Sequence, residues 1–141
     1  MYRAYKIFDK KKLVSIIFKK TNKKIKKQIN FFTNNKLPFQ VGLFNHPENH
    51  KIIPHQHKRR VNKIKQKSEF LFLLSGKIRV NFFNKNKIKV NSKIMKTGDM
   101  ILLLDGGHGF DILKKTILVE VKQGPFNSKN DKIRFKDKSD N

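Results

Sequence analysis

The chain has 141 residues, 37% of them apolar, which is enough for one core of ordinary domain size but hardly for two. Its 34 Lys and Arg against 10 Asp and Glu give a net charge of +24, and it contains no Cys. The lack of cysteine excludes disulfides, thiolate metal sites and a cysteine nucleophile, so other side chains must carry any chemistry. The longest apolar runs fall far short of the ~20 residues of a membrane span, and no signal peptide is recognisable, so we expect a cytoplasmic protein without membrane contact.

The basic composition first invites a nucleic-acid partner, because a pI near 10.4 is typical of phosphate-binding proteins. Arg is scarce, however, although base and phosphate recognition favour it, and the Lys residues are spread along the whole chain. The chain is also rich in Asn, Ile and Phe, whose codons, like those of Lys, are rich in A and T. We therefore expect a solvated lysine surface, and specific nucleic-acid binding is unlikely.

Short apolar segments broken by Asn, Gly, Pro and Lys follow one another along the chain, which predicts an all-β sandwich or barrel. The candidate strands are 13–18, 40–44, 52–57, 61–65, 69–74, 78–83, 88–94, 100–104, 108–113 and 116–121. Segment 69–74 is apolar on both faces and is predicted to lie between two packed sheets. Tight turns are predicted at 75–77 and 84–87, and no helix longer than two turns is predicted.

The chain divides by composition into three parts. Residues 1–36 form an N-terminal strand extension whose Lys-rich stretch, 19–27, is expected to be a hairpin tip or a loop. Residues 37–126 hold the predicted barrel. Residues 127–141 form a polar tail with two apolar residues, so we expect one short segment of it to dock and the end to fray.

Four of the five histidines, His46, His50, His55 and His57, lie close together in the sequence. In the predicted strand 52–57, side chains at i and i+2 point to the same face, so the imidazoles of His55 and His57 converge as a metal centre requires. His46 and His50 lie in a polar loop, where we expect surface histidines that are also able to replace a ligand or move a proton.

Glu69 and His108 extend this group of candidate ligands. Glu69 begins the strand that is apolar on both faces, and His108 follows a strand on a glycine-rich turn. The neighbouring Gly106, Gly107 and Gly109 let the backbone pass close to a ligand where a side chain would block it.

This combination resembles the cupin superfamily, small metalloproteins built as a double-stranded β-helix, or jelly roll. The matching features cover roughly residues 39–122. They are the H-x-H of His55 and His57, Glu69 with six residues between it and Gly76, and His108 ten positions after Gly98. The interval between His57 and Glu69 is longer here than in that family. The resemblance implies an all-β jelly roll with an N-terminal β extension and a divalent ion, Fe, Mn, Ni or Zn, held by His55, His57, Glu69 and His108.

Runs 107–110 and 119–126 also resemble small cupins encoded among bacterial surface-polysaccharide and sugar-nucleotide genes. The resemblance implies a saccharide-like ligand, and a homodimer, since cupins commonly pair through edge strands. We expect the site to act on or bind a sugar or sugar nucleotide. The sequence assigns no catalytic residue. The alternatives are a metal-free sugar isomerase or epimerase, for which the only tyrosine acids are Tyr2 and Tyr5, and a non-catalytic saccharide-binding cupin.

The same residues have interpretations that need no ligand. His55 and His57 are also compatible with hydrogen-bonded histidines at a barrel mouth, and His108 with a turn cap. Glu69 is also compatible with an ion-paired carboxylate at a strand edge. Glu120 alternates with apolar neighbours and therefore faces either solvent or the barrel mouth.

Overall fold

The computed structural model describes residues 1–23, 28–61, 63–64, 67–125 and 131–139. These residues are all-β, with eight strands and no helix, as the sequence predicts. They fold as two compact units. The small unit comprises Met1 and Asn22–Lys65, and the sheet unit comprises Tyr2–Thr21 and Gln66–Asn141.

The small unit is built on a two-stranded antiparallel pair, β3 (Ile29–Phe31) and β4 (Gly42–Phe44). The backbone N–H of Phe32 donates to the carbonyl of Val41 at 2.9 Å and extends the pairing toward the connecting loop. The Phe31 and Phe44 rings pack edge to face, 6.2 Å apart. The rest of the described small unit is irregular.

The predicted strands at 52–57 and 61–65 are wrong for the residues that the structure describes, which are irregular there. Burial does not favour a strand in this region, because Ile53 is 82% exposed and Val61 is 98% exposed. Pro54 also lacks the N–H that a strand ladder needs. Basic and polar residues fill most of the remaining positions, so the few apolar side chains have no continuous face to bury.

The sheet unit is one six-stranded antiparallel sheet. Its strands are β1 (Tyr2–Asp9), β2 (Lys12–Lys20), β5 (Glu69–Phe83), β6 (Lys89–Lys96), β7 (Met100–Leu103) and β8 (Gly107–Lys122). The order is β1-β2-β7-β5-β6, and β8 pairs with β5 along almost its whole length. The Lys-rich stretch predicted at 19–27 starts at the end of β2, and its residues 24–27 lie outside the described residues.

The core of the sheet unit lies on one face of the sheet. Alternate residues of each strand supply it, since side chains two apart in a strand point to the same side. The buried members are Ile7, Val14, Ile17, Leu71, Leu73, Ile78, Val80, Phe82, Met95, Ile101 and Leu103. On the opposite face Ile16, Phe18 and Leu102 are also buried, whereas Phe70 and Phe72 are only half-buried. The coverage of both faces predicted for 69–74 is therefore only partial.

Strands β5 and β8 bend together at Gly76. The turn predicted at 75–77 is wrong, because β5 runs through these residues without a break. Bulges shift the β5–β8 register several times between Leu73 and Ile78, and the pairing continues across the bend. Gly76 has φ +103°, and a Cβ there would stand 2.3 Å from the carbonyl oxygen of Lys115, so the bend requires glycine.

The turn predicted at 84–87 is confirmed. The side-chain carboxamide oxygen of Asn84 accepts hydrogen bonds from the N–H groups of Asn86 at 2.9 Å and Ile88 at 3.1 Å. Lys87 adopts φ 67°, which completes the reversal between β5 and β6.

Asp99 fixes the connection between β6 and β7 beneath the bend. It is 5% exposed, and its carboxylate accepts the backbone N–H of Lys20 at 3.0 Å and that of Lys96 at 2.9 Å. The Lys19 ammonium lies 3.3 Å from the same carboxylate. One buried anion therefore ties the end of β2 to the end of β6.

We expect Asp99→Ala to lower the free energy of unfolding by about 2 kcal/mol, because it leaves two partly buried N–H donors and an ammonium without their acceptor. Urea unfolding measures the loss. The matched control is Asp111→Ala, whose carboxylate is 49% exposed and pairs with Arg79 at 3.4 Å, so we expect it to cost less than about 1 kcal/mol. Equal losses in the two variants would contradict this role for Asp99.

Candidate functional site

A cavity of the sheet unit has a volume of about 1200 Å³. Charged and hydroxyl- or amide-bearing side chains share its wall with aromatic rings. They include Glu69, Arg79, Asn81, Phe83, His108, Phe110 and Lys132. Such a mixture suits a polar small molecule that offers both hydroxyl groups and an apolar ring face.

Glu69 and His108 meet in this cavity because the sheet curls. His108 lies opposite Phe82 in the β5–β8 ladder, thirteen residues along β5 from Glu69, and a straight strand would separate the two by roughly 43 Å. The observed distance from Glu69 Oε2 to His108 Nε2 is 3.1 Å. The bend at Gly76 therefore brings the two ends of β5 together.

The environment of Glu69 favours its ionised form. The hydrogen bond from His108 is the largest cause that lowers its pKa, and the charges of His108, Lys132 and Lys122 lower it further, against the opposing effect of burial. The two side chains are 14% and 28% exposed, so a ligand in the cavity has access to both.

The glycine run beside His108 is held by Asp105. The carboxylate of Asp105 accepts the N–H of Gly106 at 2.6 Å and is ion-paired with Lys12. Gly106 has φ +75°, and a Cβ there would stand 2.5 Å from the carbonyl oxygen of Phe83, so the chain passes directly over β5. Gly106, Gly107 and Gly109 all line the cavity.

Residues 131–139, here called the C-terminal strap, form one wall of the cavity. Its two ends are ion-paired, Asp131 with Lys67 at 2.8 Å and Asp137 with Lys89 at 2.6 Å. The bond from Lys89 and those from Ser139 lower the pKa of Asp137 to about 2. The strap is therefore fastened at both ends, in agreement with the expected docking of one short segment of the tail.

Between these anchors, the strap places one ring and one cation in the site. Phe135 packs edge to face on Phe83, with ring centroids 5.3 Å apart, and Lys132 brings its ammonium to 4.0 Å from Glu69. Sequence reasoning did not find Lys132. The only available signal was the pair of apolar residues, Ile133 and Phe135, in an otherwise polar tail, and Ile133 stays 83% exposed.

The four neighbouring histidines belong to the small unit. His46 and His50 stack with ring centroids 4.3 Å apart, and neither ring nitrogen of His46 has a hydrogen-bond partner among the described residues. His55 and His57 are exposed, and their rings lie edge to face at 5.3 Å, although they are not in a strand. The convergence predicted from strand geometry is thus replaced by a pair of neighbouring rings on an irregular segment.

Glu120 lies in β8, where its carboxylate is 3.0 Å from the ammonium of Lys122. The hydrogen bond that the Lys122 ammonium donates to Glu120 is the main cause that raises the pKa of Lys122. Within neither unit do three His, Asp or Glu side chains of the described ranges form a group that could hold a metal ion. The sheet unit by itself thus supplies two candidate ligands, Glu69 and His108.

Comparison with protein-family models, with curated proteins and with solved structures gave no match for this chain. In the part of the chain that the structure describes, no helix has the length and hydropathy that a membrane span requires. The site must therefore be interpreted from its own geometry.

We expect Gly107→Ala to release the C-terminal strap, because a Cβ there would stand 2.6 Å from the Phe135 ring and 3.2 Å from Phe83 Cβ. Hydrogen exchange of residues 131–139 should become several-fold faster, since the ring must leave its place. Gly109→Ala is the matched control, because its Cβ meets its nearest neighbour at an ordinary 3.8 Å. Unchanged exchange in the Gly107 variant would show that Phe135 does not hold the strap.

The lowered pKa of Glu69 has a consequence for stability. Because the ionised form is favoured in the folded chain, the carboxylate adds stability above its ordinary pKa of 4.5, and this contribution is lost as the pH falls through the lowered value. We expect the stability difference between wild type and Glu69→Gln to shrink below pH 4.5. Urea unfolding across this range measures it, and in a His108→Ala background the same difference should be smaller throughout. A difference that does not change with pH would contradict the pairing.

Proposed function

We propose that the cavity of the sheet unit binds a saccharide-like small molecule, and that Glu69 and His108 bind a divalent metal ion there. The observation that carries the proposal is the 3.1 Å approach of a carboxylate and an imidazole inside a cavity of about 1200 Å³. Under this proposal the curled sheet is the barrel of a cupin-like jelly roll.

The donor set fits a divalent ion. Carboxylate oxygen and imidazole nitrogen are ligands that Fe(II), Mn(II), Ni(II) and Zn(II) accept. Glu69 Oε2 and His108 Nε2 lie 3.1 Å apart, so both atoms would be available to one ion.

When bound, the ion would supply Lewis-acid polarisation of a hydroxyl or carbonyl oxygen of the ligand. The chain's own residues account for ligand binding. Phe83 and Phe110 supply apolar surface to the cavity, and Asn81 and Ser92 offer amide and hydroxyl groups for ligand hydroxyls. Lys132, 4.0 Å from Glu69, places a positive charge where a phosphate or carboxylate group of the ligand would find a partner.

We expect wild-type protein purified without chelator, or supplied afterwards with Fe, Mn, Ni or Zn, to hold one such ion per chain. Glu69→Gln and His108→Ala should each lower the content at least several-fold, because each removes a proposed ligand. His46→Ala is the matched control, since it removes an imidazole that is not in the proposed pair, and it should keep the ion.

Elemental analysis of the three variants beside wild type makes the measurement. A wild-type content below about one tenth of an ion per chain after all four metals have been offered would refute the metal site. Equal losses in His46→Ala and His108→Ala would refute this ligand pair.

A second candidate is a metal-free sugar isomerase or epimerase, and the contacts of Glu69 favour it. The N–H of His108 and the ammonium of Lys132, 4.0 Å away, already stabilise this carboxylate without an ion. A carboxylate that holds the proton on His108 Nε2 leaves Nδ1 as the atom able to accept a proton from a ligand. Tyr2 and Tyr5, the only tyrosines, are not among the described residues that line the cavity, so the acid partner would have to be another group.

The two candidates separate in one assay. Metal-stripped protein that converts a nucleotide-linked keto-sugar, and loses this activity in His108→Ala, would support the metal-free enzyme. Binding of the same sugar without conversion, seen as a rise in melting temperature, would support a non-catalytic saccharide-binding protein.

A further inference from the structure

Ion pairing distinguishes the small unit from the sheet unit. Among the described side chains, every ion pair joins two residues of the sheet unit. Residues Asn22–Lys65 of the small unit contain eleven Lys and Arg but a single carboxylate, that of Glu48, which gives a net charge of +10. The cations of this unit that the structure describes are exposed, and none has a carboxylate partner within the described ranges. They are Lys23, Lys36, Lys51, Lys58, Arg59, Arg60 and Lys63.

These cations are close enough to act together. A compact unit of about 45 residues has a radius of gyration of roughly 9 Å, and the Debye length at 0.1 M salt is ~10 Å. A chain of phosphates can meet several of the cations at once and release several counterions, whereas a small anion meets only one or two. The charge of the small unit therefore favours a polyanion.

The same unit exposes aromatic rings on one face of its strand pair. Phe44 lies opposite Ile29, and Phe31 lies two residues farther along β3, so the three side chains point to the same side. Phe31 and Phe44 are 54% and 55% exposed although their rings contact each other. Gly42 leaves the space that both rings use, since a Cβ there would stand 2.9 Å from Phe31 Cε1 and 3.2 Å from Phe44 Cε2. The strand pair thus presents two adjacent rings to solvent.

Exposed rings and cations without ion pairs, combined in one unit, are the features of proteins that bind single-stranded nucleic acid. The phosphates attract the cations, and the unpaired bases stack on the rings. A duplex offers open base faces only at its ends, and an anionic membrane offers phosphates without bases. The small unit holds both of the partners that a single strand needs.

We propose that the small unit binds single-stranded nucleic acid without sequence preference. Bases stack on the rings of Phe31 and Phe44, and the cations of the unit hold the phosphates. The scarcity of Arg argues against base readout, and stacking and phosphate contacts do not require it. All of these residues belong to the small unit, so binding here does not require the cavity of the sheet unit.

Fluorescence anisotropy of a labelled oligo(dT) of about 15 nucleotides measures the binding to the full chain. If four phosphates are neutralised, the affinity should fall roughly fifty-fold between 50 and 200 mM salt. The double variant Arg59→Glu, Arg60→Glu should weaken binding at the lower salt at least about tenfold. The matched control is Lys114→Glu, Lys115→Glu, which reverses two adjacent exposed cations of the sheet unit and makes the same change in net charge. We expect it to weaken binding no more than about twofold.

A fluorescent side chain tests the stacking separately. The chain has no Trp, so Phe44→Trp introduces a single indole on the exposed strand pair. Its emission should fall at least about twofold as oligo(dT) binds, because a base stacks on the ring, and Phe44→Ala should weaken binding roughly tenfold. Phe8→Trp is the matched control, since Phe8 is 47% exposed on β1 of the sheet unit, and its emission should not change.

Several outcomes would overturn the proposal. One is no binding of oligo(dT) at 50 mM salt. Others are equal affinity for a duplex of the same length, equal losses in the two charge-reversed variants, and unchanged emission of Phe44→Trp in the bound state. Binding to phosphatidylserine vesicles without binding to oligo(dT) would overturn it as well, and would assign this surface to an anionic membrane.

Discussion

The bend of the β5–β8 ladder at Gly76 is the constraint on which the other features depend. A straight ladder would hold Glu69 and His108 at opposite ends, and the cavity between them would not form. The bend needs a residue without a side chain, since the space for a Cβ is filled by the carbonyl oxygen of Lys115. Asp99 supports the same corner from the other side of β5, because it orders the chain between β6 and β7.

Local sequence patterns were sufficient to predict the class of fold. They did not show that β5 and β8 are each one continuous strand. Residue type identified both halves of β5 and of β8, because each half is rich in Ile, Leu, Val or Phe. It could not show that each pair of halves is one strand, since Ser, Gly and Lys at 75–77 are also the residues of a tight turn. The choice depends on the pairing with β8, and a partner strand far away in the sequence leaves no local signal.

The residues of the candidate site were also predicted only in part. Glu69 and His108 were found from residue type and motif spacing, and the fold brings them into contact. Lys132 was not found, because it reaches the site through the strap, whose position is set by two ion pairs between distant residues. The expected convergence of His55 and His57 rested on a strand, and residue pattern overestimated strand formation where no burial supports it.

The ladder also has an order of assembly built into it. Phe83 and Gly107 are much closer in the sequence than Glu69 and Lys122, which form the far end of the same ladder. Closing a short loop costs less chain entropy than closing a long one. We therefore expect the β5–β8 pairing to form first at Phe83 and Gly107 and then to extend toward Glu69. In this order Glu69 reaches His108 late in folding. A ligand that needs both residues therefore binds only chains in which β5 and β8 are completely paired.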